Sequence, residues 1–479
     1  MPVDKPHDEY LANVDDWQKC RDVAYGRKKV HSAGETYLPK LSHSDAATET
    51  ANYKAYKMRA GFYNATGRTI EGLSGMIFRK DPIYEYPAAM QSIIDDITLG
   101  GESLRALSEQ AVDEVLTVGR LGVLVDFPGD IMGPISLADA EKMNRRPHAS
   151  IYKTESILNW RYERKNNAHV LTRVILEETT ATQSDKDEFD ETTQTQWRVL
   201  DLDLGYYRQR VFVDNEGTKA QLGDDIYPKM NGQTMSFIPF EFFSACDDTK
   251  TICKSPILDL VEMNLAHYRN MADLEHGAHY TALPTPVFSG LSANDLEEDE
   301  DGNKKPIAIG SGEAVLIPTP DGKAQYLEFT GAGLKALREL AGDKKDEMAT
   351  LGARMIASDK RAAETAETHQ IKRHGENSAL ASVAKSVSAS LHRVLEILRD
   401  WSGASGDIAV RLNTDFIPAE MSPQLLKEMV AACQAGKMPF ESLWWNMQRG
   451  EVVQPDMSHE DALEKIEDDD SRLLSGTDA

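Results

Sequence analysis

A chain of 479 residues, 41% apolar, has the length for several domains and enough apolar material for a real core. Its 78 acidic against 53 basic residues, a formal charge of −25, exclude a conventional phosphate-gripping nucleic-acid reader, but not DNA that passes without being held. No apolar run approaches the roughly 18 residues of a membrane span, and the N-terminus shows no signal peptide, so a soluble chain made in a reducing cytoplasm is expected.

Residues 1–128 read as mostly helical. Helices are predicted over 10–30, 49–78, 90–99 and 103–118, with Pro82 and Pro87 punctuating the middle. Gly119-Arg120-Leu121-Gly122 ends the last helix, and 123–128 is a short strand. The pattern turns to β over 149–243. Lys165-Asn166-Asn167 supplies a turn before a branched strand at 168–178, and 197–203 with 206–213 form a hairpin across Leu204-Gly205. The acidic stretch 177–191 reads as a solvated hairpin tip. An apolar strand over 237–243 is interrupted by Pro239.

Ser255-Pro256 opens a helix to about Ala282, proline being suited to a first turn. Ile257, Val261, Leu265, Tyr268 and Ala272 share one side, and Glu262, Arg269 and Asp273 another. Residues 283–330 form a small β-rich insertion with strands near 286–289, 313–317 and 325–330. A helix follows with a weak stripe of Leu334, Leu337, Ala341, Met348, Leu351 and Met355. After a charged break at Ser358-Asp359-Lys360-Arg361 comes a long helix carrying Leu380, Val383, Ala384, Val387, Leu391, Val394, Leu395 and Leu398. These stripes must be buried. A copy of the same element in a neighbouring subunit, or another elongated element, is the expected partner. A strand at 408–412 and helices at 422–435, 441–449 and 459–472 complete the chain.

Motifs for catalysis fail on context. Gly331 to Ala336 matches a dinucleotide fingerprint but leads into two successive helices instead of a βαβ unit, so it reads as a helix-opening turn. The acidic run 297–302 resembles the start of a calcium loop, yet Ala308 stands where a bidentate Glu is required. His369 and His374 lie about 140° apart on a helix and do not converge on one metal. No P-loop and no Gly-x-Ser-x-Gly elbow occurs. No catalytic, cofactor or metal residues are assigned. Cys20, Cys246, Cys253 and Cys433 fit neither a disulfide framework nor a zinc pattern and are expected as buried free thiols.

Several pieces, in this order and spacing, resemble the portal (head-to-tail connector) proteins of tailed bacteriophages. They are residues 62–69 running into 72–80, residues 117–128, Ile157-Leu158-Asn159-Trp160-Arg161, Ser255-Pro256-Ile257-Leu258-Asp259-Leu260, and 348–354 leading to Glu364-Thr365-Ala366. The resemblance covers most of the chain and implies an α+β, elongated portal-type subunit. It places a mixed α/β wing at 1–255, stem helices at 256–282 and 333–356, and a β-containing clip at 283–332. A tunnel loop at 357–363, a long wing helix and strand at 364–421, and a short helical crown with acidic tail at 422–479 complete it.

The resemblance also implies a homo-oligomeric ring, commonly a dodecamer, at one vertex of the capsid in the virion. Double-stranded DNA would pass through it during packaging and ejection. The implied partners are the large terminase subunit, the major capsid or scaffold protein and a head-completion (adaptor) protein. Lys360 and Arg361 are the DNA-contacting candidates, with Lys372, Arg373 and Arg269 as weaker channel candidates; ordinary solvated charge is the alternative for the first four. Two other functions stay open: a different phage head-assembly protein, minor capsid or scaffold, and a metal-dependent nucleic-acid enzyme.

Overall fold

The computed structural model describes residues 2–40, 46–128, 143–183, 191–215, 217–246, 250–281, 285–289, 322–327, 332–355, 378–416, 423–450, 452–453 and 457–465. The elements in chain order are α1 (Asp8–Tyr25), α2 (Arg27–Ala33), α3 (Ala46–Arg59), α4 (Ala65–Ile77), β1 (Ile83–Glu85), α5 (Gln91–Asp95), α6 (Leu104–Val118), β2 (Arg120–Asp126), β3 (His148–Lys153), β4 (Ile157–Lys165), β5 (Ala168–Gln183), β6 (Glu191–Asp203), β7 (Tyr206–Asn215), β8 (Thr218–Ile226), β9 (Lys229–Met230), β10 (Gln233–Thr234) and β11 (Phe240–Ser244). They continue with α7 (Leu258–Thr281), β12 (Thr285–Ser289), β13 (Lys323–Leu327), α8 (Ala332–Arg354), α9 (Ala379–Ser402), β14 (Ala409–Arg411), α10 (Pro423–Gln434) and α11 (Phe440–Arg449). The sheets are antiparallel throughout and the class is α+β.

Two long predicted helices are each broken in two. The first stops at Gly26, whose φ of 101° is open to glycine and costly for other residues. The second is interrupted after Arg59, and Asn64 restarts it: its side-chain oxygen accepts from the Gly67 amide at 3.0 Å, a cap on α4. Gly67 is needed there, because a Cβ would stand 2.5 Å from the Ala24 carbonyl of α1. By contrast, α6 begins and ends where the sequence places it. Ser103 caps it, and Gly119 closes it in the left-handed region at φ 85°.

The strand after α6 starts three residues earlier than predicted. β2 is the central strand of a three-stranded sheet with β11 and β3, and Arg120 belongs to it. Its side chain is almost fully buried, with the guanidinium 4.2 Å from the Trp160 ring and 4.0 Å from Phe242. Burial pushes its pKa down to about 10. Cation–π contact in a desolvated setting offsets part of that cost. The five-stranded sheet runs β4-β5-β6-β7-β8. Its β6–β7 turn holds Leu204 and Gly205 at φ 50° and 90°, as the sequence predicts. The acidic stretch is not all hairpin tip. Glu177 and Glu178 lie on β5, and Glu178 binds Arg198 at 2.7 Å and accepts from Tyr152 at 2.6 Å.

The stripe on α9 corrects the sequence reading most directly. Leu380, Val383, Ala384, Val387, Leu391, Val394, Leu395 and Leu398 are all buried inside their own subunit. They form one core with α6, β2 and β11. The helix is pinned there by Ser390 donating to the Phe242 carbonyl at 3.1 Å and Ser386 to the Cys246 carbonyl at 3.3 Å. No apolar face of α9 is left over for a neighbouring subunit. The helix starts at Ala379, capped by Ser378.

Two more corrections concern pairing. Cys246 and Cys253 form a disulfide that closes the loop between β11 and α7, against the expectation of free thiols. Their two Cα atoms stand 6.5 Å apart, within bridging reach. Cys20 is a buried thiol, raised to about 11 by burial. β1, unseen in the sequence, pairs with β14 across more than three hundred residues of chain. The expected strand at 313–317, the acidic run 297–302, and His369 and His374 lie outside the described residues.

Candidate functional site

The feature that leads out of this core is the helix pair α7–α8, with the first half of α7 packed into it. Ser255 prepares it. Its hydroxyl donates to the Thr117 carbonyl at 2.8 Å and accepts from the Ile257 amide at 3.3 Å. Val261, Leu265, Tyr268 and Ala272 then face the body and are buried. Asn264, fully buried, fastens the helix to α4. It accepts from the Thr66 hydroxyl at 3.0 Å and donates to the Tyr63 carbonyl at 2.8 Å. The segment 62–69 is therefore one wall of the seat of α7, which α1 and α3 complete through Lys19 on Glu262 and Tyr56 on Asp273.

α8 returns antiparallel along α7. Asn270 donates to the Leu337 carbonyl at 2.8 Å, and Lys344 to the Ala266 carbonyl at 3.2 Å. At Gly277 a Cβ would stand 3.0 Å from Leu334, so glycine allows close approach. The covered side chains along α8 and just past its end are Leu334, Leu337, Ala341, Lys344, Met348, Leu351 and Met355, alternating three and four apart. That is the narrow seam of a helix with one partner. The remaining surface is exposed and mixed in sign, with Lys335, Arg338, Glu339, Asp343, Lys345, Asp346 and Glu347. Beyond the far end of the pair, β12 and β13 form an antiparallel two-stranded ribbon, Thr285 opposite Leu327 and Ser289 opposite Lys323.

Positive charge collects where α4, α7 and α8 meet. Lys345 Nζ lies 4.9 Å and the Arg68 guanidinium 5.5 Å from the Tyr63 ring centroid. His267 packs its ring against the same tyrosine at 6.1 Å. Burial lowers the His267 pKa, and Lys344 and Lys345 lower it further. Lys344 is itself lowered by burial and by Arg269. Arg269, a channel candidate from the sequence, is half-buried within this cluster. Such a group of cations can make weak, screened contacts with phosphates, and nothing in its geometry activates a nucleophile.

Lys360, Arg361, Lys372 and Arg373 lie outside the described residues. Sequence reading missed Arg68, Lys344 and Lys345. The Lys344-Lys345 doublet was a visible signal, but only the fold brings it to Tyr63 and Arg269. Among the described residues no group of three or more His, Cys, Asp or Glu is placed to hold a metal, and no helix is long and apolar enough to cross a membrane.

A family model described as a domain of unknown function (DUF4055) matches residues 256–402. The match spans α7, β12, β13, α8 and α9. Among solved structures the chain is similar to one from the virion of a native gene transfer agent particle. The identity is 11%, with 86% of this chain and 95% of that chain covered, at a TM-score of 0.38. It is also similar to one from the neck of the native gene transfer agent particle computed with C12 symmetry, at 13% identity, covering 80% and 89%, at a TM-score of 0.39. No curated protein matches the chain.

Proposed function

We propose that this chain is the subunit of a phage portal: a ring at one capsid vertex that conducts double-stranded DNA during packaging and ejection. The observation that carries the reading is the helix pair α7–α8. It is anchored at 62–69 in an α/β body, buried along one narrow seam, and followed at its far end by a separate strand ribbon. In this reading 256–282 and 333–356 are the stem, 283–332 the clip and 357–363 the tunnel loop. The wing comprises 1–255 with 364–421, and the crown lies at 422–479. The clip would meet the large terminase subunit and later the head-completion protein.

The mixed-sign surface of α8 supports this reading. In a ring each stem meets another copy of itself, and alternating charges pair across such a contact without leaving an apolar face exposed on the free subunit. Since the α9 stripe is buried, ring contacts rest on surfaces of this kind. The test is native mass spectrometry and negative-stain imaging of the purified chain, with a closed ring, a dodecamer, as the expected result. In packaging assays, Lys360→Ala with Arg361→Ala should leave the ring intact and shorten the DNA retained. That defect should vary with salt, because exposed charges are screened over about 8 Å at physiological ionic strength. A monomer at all concentrations refutes the reading.

A further inference from the structure

We infer that the outer face of the five-stranded sheet is a receptor for the acidic tip of the β5–β6 hairpin of a neighbouring copy. The inference rests on the multi-copy assembly proposed above and is independent of DNA passage.

The hairpin outgrows its sheet. β4 pairs with β5 no further than Leu176, and β7 pairs with β6 no further than Gln196. Five pairs, from Thr179 opposite Thr195 to Gln183 opposite Glu191, have no third strand beside them. At strand rise this ribbon projects about 17 Å. Thr179, Ala181, Thr193, Gln194 and Thr195 are exposed, so neither face of the ribbon is buried in its own subunit. A lone two-stranded ribbon is marginal in water and gains stability by docking. Its tip reads Ser184-Asp185-Lys186-Asp187-Glu188-Phe189-Asp190: four acids around one aromatic side chain.

The complementary surface is a cleft of about 790 Å³ between the N-terminal segment and the outer face of this sheet. Its floor is apolar, formed by Trp160, Ile175, Val199 and Phe212. Lys5, Arg161, Arg173, Arg210 and Lys219 line it, against one acid, Asp8. Arg161 pairs with Glu163, Arg210 with Asp201, and Lys219 with Asp214, so the uncompensated positive charge of the rim is that of Lys5 and Arg173. Lys5 and Arg173 have no acidic partner among the described residues, and the Nε of Arg210 is buried without a hydrogen-bond partner. An apolar floor inside a cationic rim selects an acidic peptide with one large apolar side chain, and the tip has both features.

The tip cannot serve its own cleft. From Ile175 on the floor to Gln183 at the ribbon's end is eight residues of continuous strand, about 27 Å at strand rise. The seven-residue tip spans no more than about 12 Å on folding back. The rim at Lys219, opposite Asp214 on β7, lies nearer the ribbon's end, but only another copy brings Phe189 onto the floor.

Phe189 replaced by the photo-crosslinker p-benzoylphenylalanine tests this in the full chain, with isotopically labelled and unlabelled copies mixed. Cross-links between labelled and unlabelled chains should land on residues 157–175 or 199–219. Arg161→Glu with Arg173→Glu should lower their yield about tenfold or more, and Asp185→Arg with Asp187→Arg should restore it. Thermal melting of each variant serves as the folding control. Cross-links within one chain, or onto another surface, overturn the inference. So does a charge reversal that abolishes binding of a short DNA duplex while leaving the cross-link yield unchanged; the cleft is then a phosphate surface. Native mass spectrometry of the same sample separates the two readings. A ring without cleft cross-links overturns arm docking alone, and a monomer overturns both.

Discussion

Leu391→Ala decides whether the α9 stripe is a core or an interface. Leu391 is wholly buried in the core that α9 shares with α6, β2 and β11. Leucine-to-alanine changes in cores cost about 2–5 kcal/mol, and the cost rises with how little the site can collapse. Collapse is restricted here. Ser390, next in the chain, is held to the Phe242 carbonyl, and Ser388 accepts from the Leu412 amide at 3.1 Å. The helix therefore cannot slide toward the sheet, and the loss should fall in the upper half of that range, about 3–5 kcal/mol. Against a typical stability of about 5–15 kcal/mol this is a large fraction. Urea unfolding followed by tryptophan fluorescence should show a lowered midpoint, with any folded protein assembling normally. The mirror experiment is Lys335→Glu with Arg338→Glu on the exposed side of α8, which should impair assembly and leave the midpoint in place. An Leu391→Ala chain with an unshifted midpoint and lost assembly would refute the packing argument outright.

Three further outcomes follow from named contacts. Burial alone would raise the Glu178 carboxyl, but the charge and hydrogen bonds of Arg198 hold it below its usual value. Its stabilisation is therefore present above the unfolded pKa of about 4.3 and is lost as pH falls through the lowered folded value. Glu178→Gln should cost about 1–3 kcal/mol at pH 7, and the gap in melting temperature from the parent should close in acid. His267 has a lowered folded pKa, so below about 6.5 the unfolded chain binds the proton and the folded chain resists it. Stability should fall toward pH 5 by no more than about 1.4 kcal/mol per pH unit, and His267→Gln should remove that component from melts recorded across the range. At Gly122 a Cβ would stand 2.3 Å from the Phe240 ring, so Gly122→Ala should destabilise by about 1–3 kcal/mol in denaturant titration.

Elements whose signal is local were legible. The cap at Ser103 and the stop at Gly119 bound α6 in sequence and structure alike, because both act within one turn of the helix. The Leu204-Gly205 turn and the exposed positive-φ pair Asn166-Asn167 are equally local. The pairing of β1 with β14 was not legible, because three residues carry no periodicity and the partner lies at the other end of the chain. Nor was the burial of Arg120. A charged residue after a helix stop reads as surface, and only the meeting of Trp160 and Phe242 from two other strands makes a place for it.

The amphipathic pattern of 380–398 by itself determined that this segment is a helix and which of its faces is buried, since a 3.6-residue period admits one solution. It did not determine against what. An apolar stripe is indifferent to whether the surface covering it belongs to its own chain or to a neighbour, because the hydrophobic effect counts area removed from water and not its source. Tertiary structure decided that the β2–β11 sheet takes the α9 stripe. It also decided that α8, with the weaker stripe, keeps a charged surface outside, that Arg68 and Lys345 meet at Tyr63 from two separate helices, and that Arg269 of a third stands near Lys344.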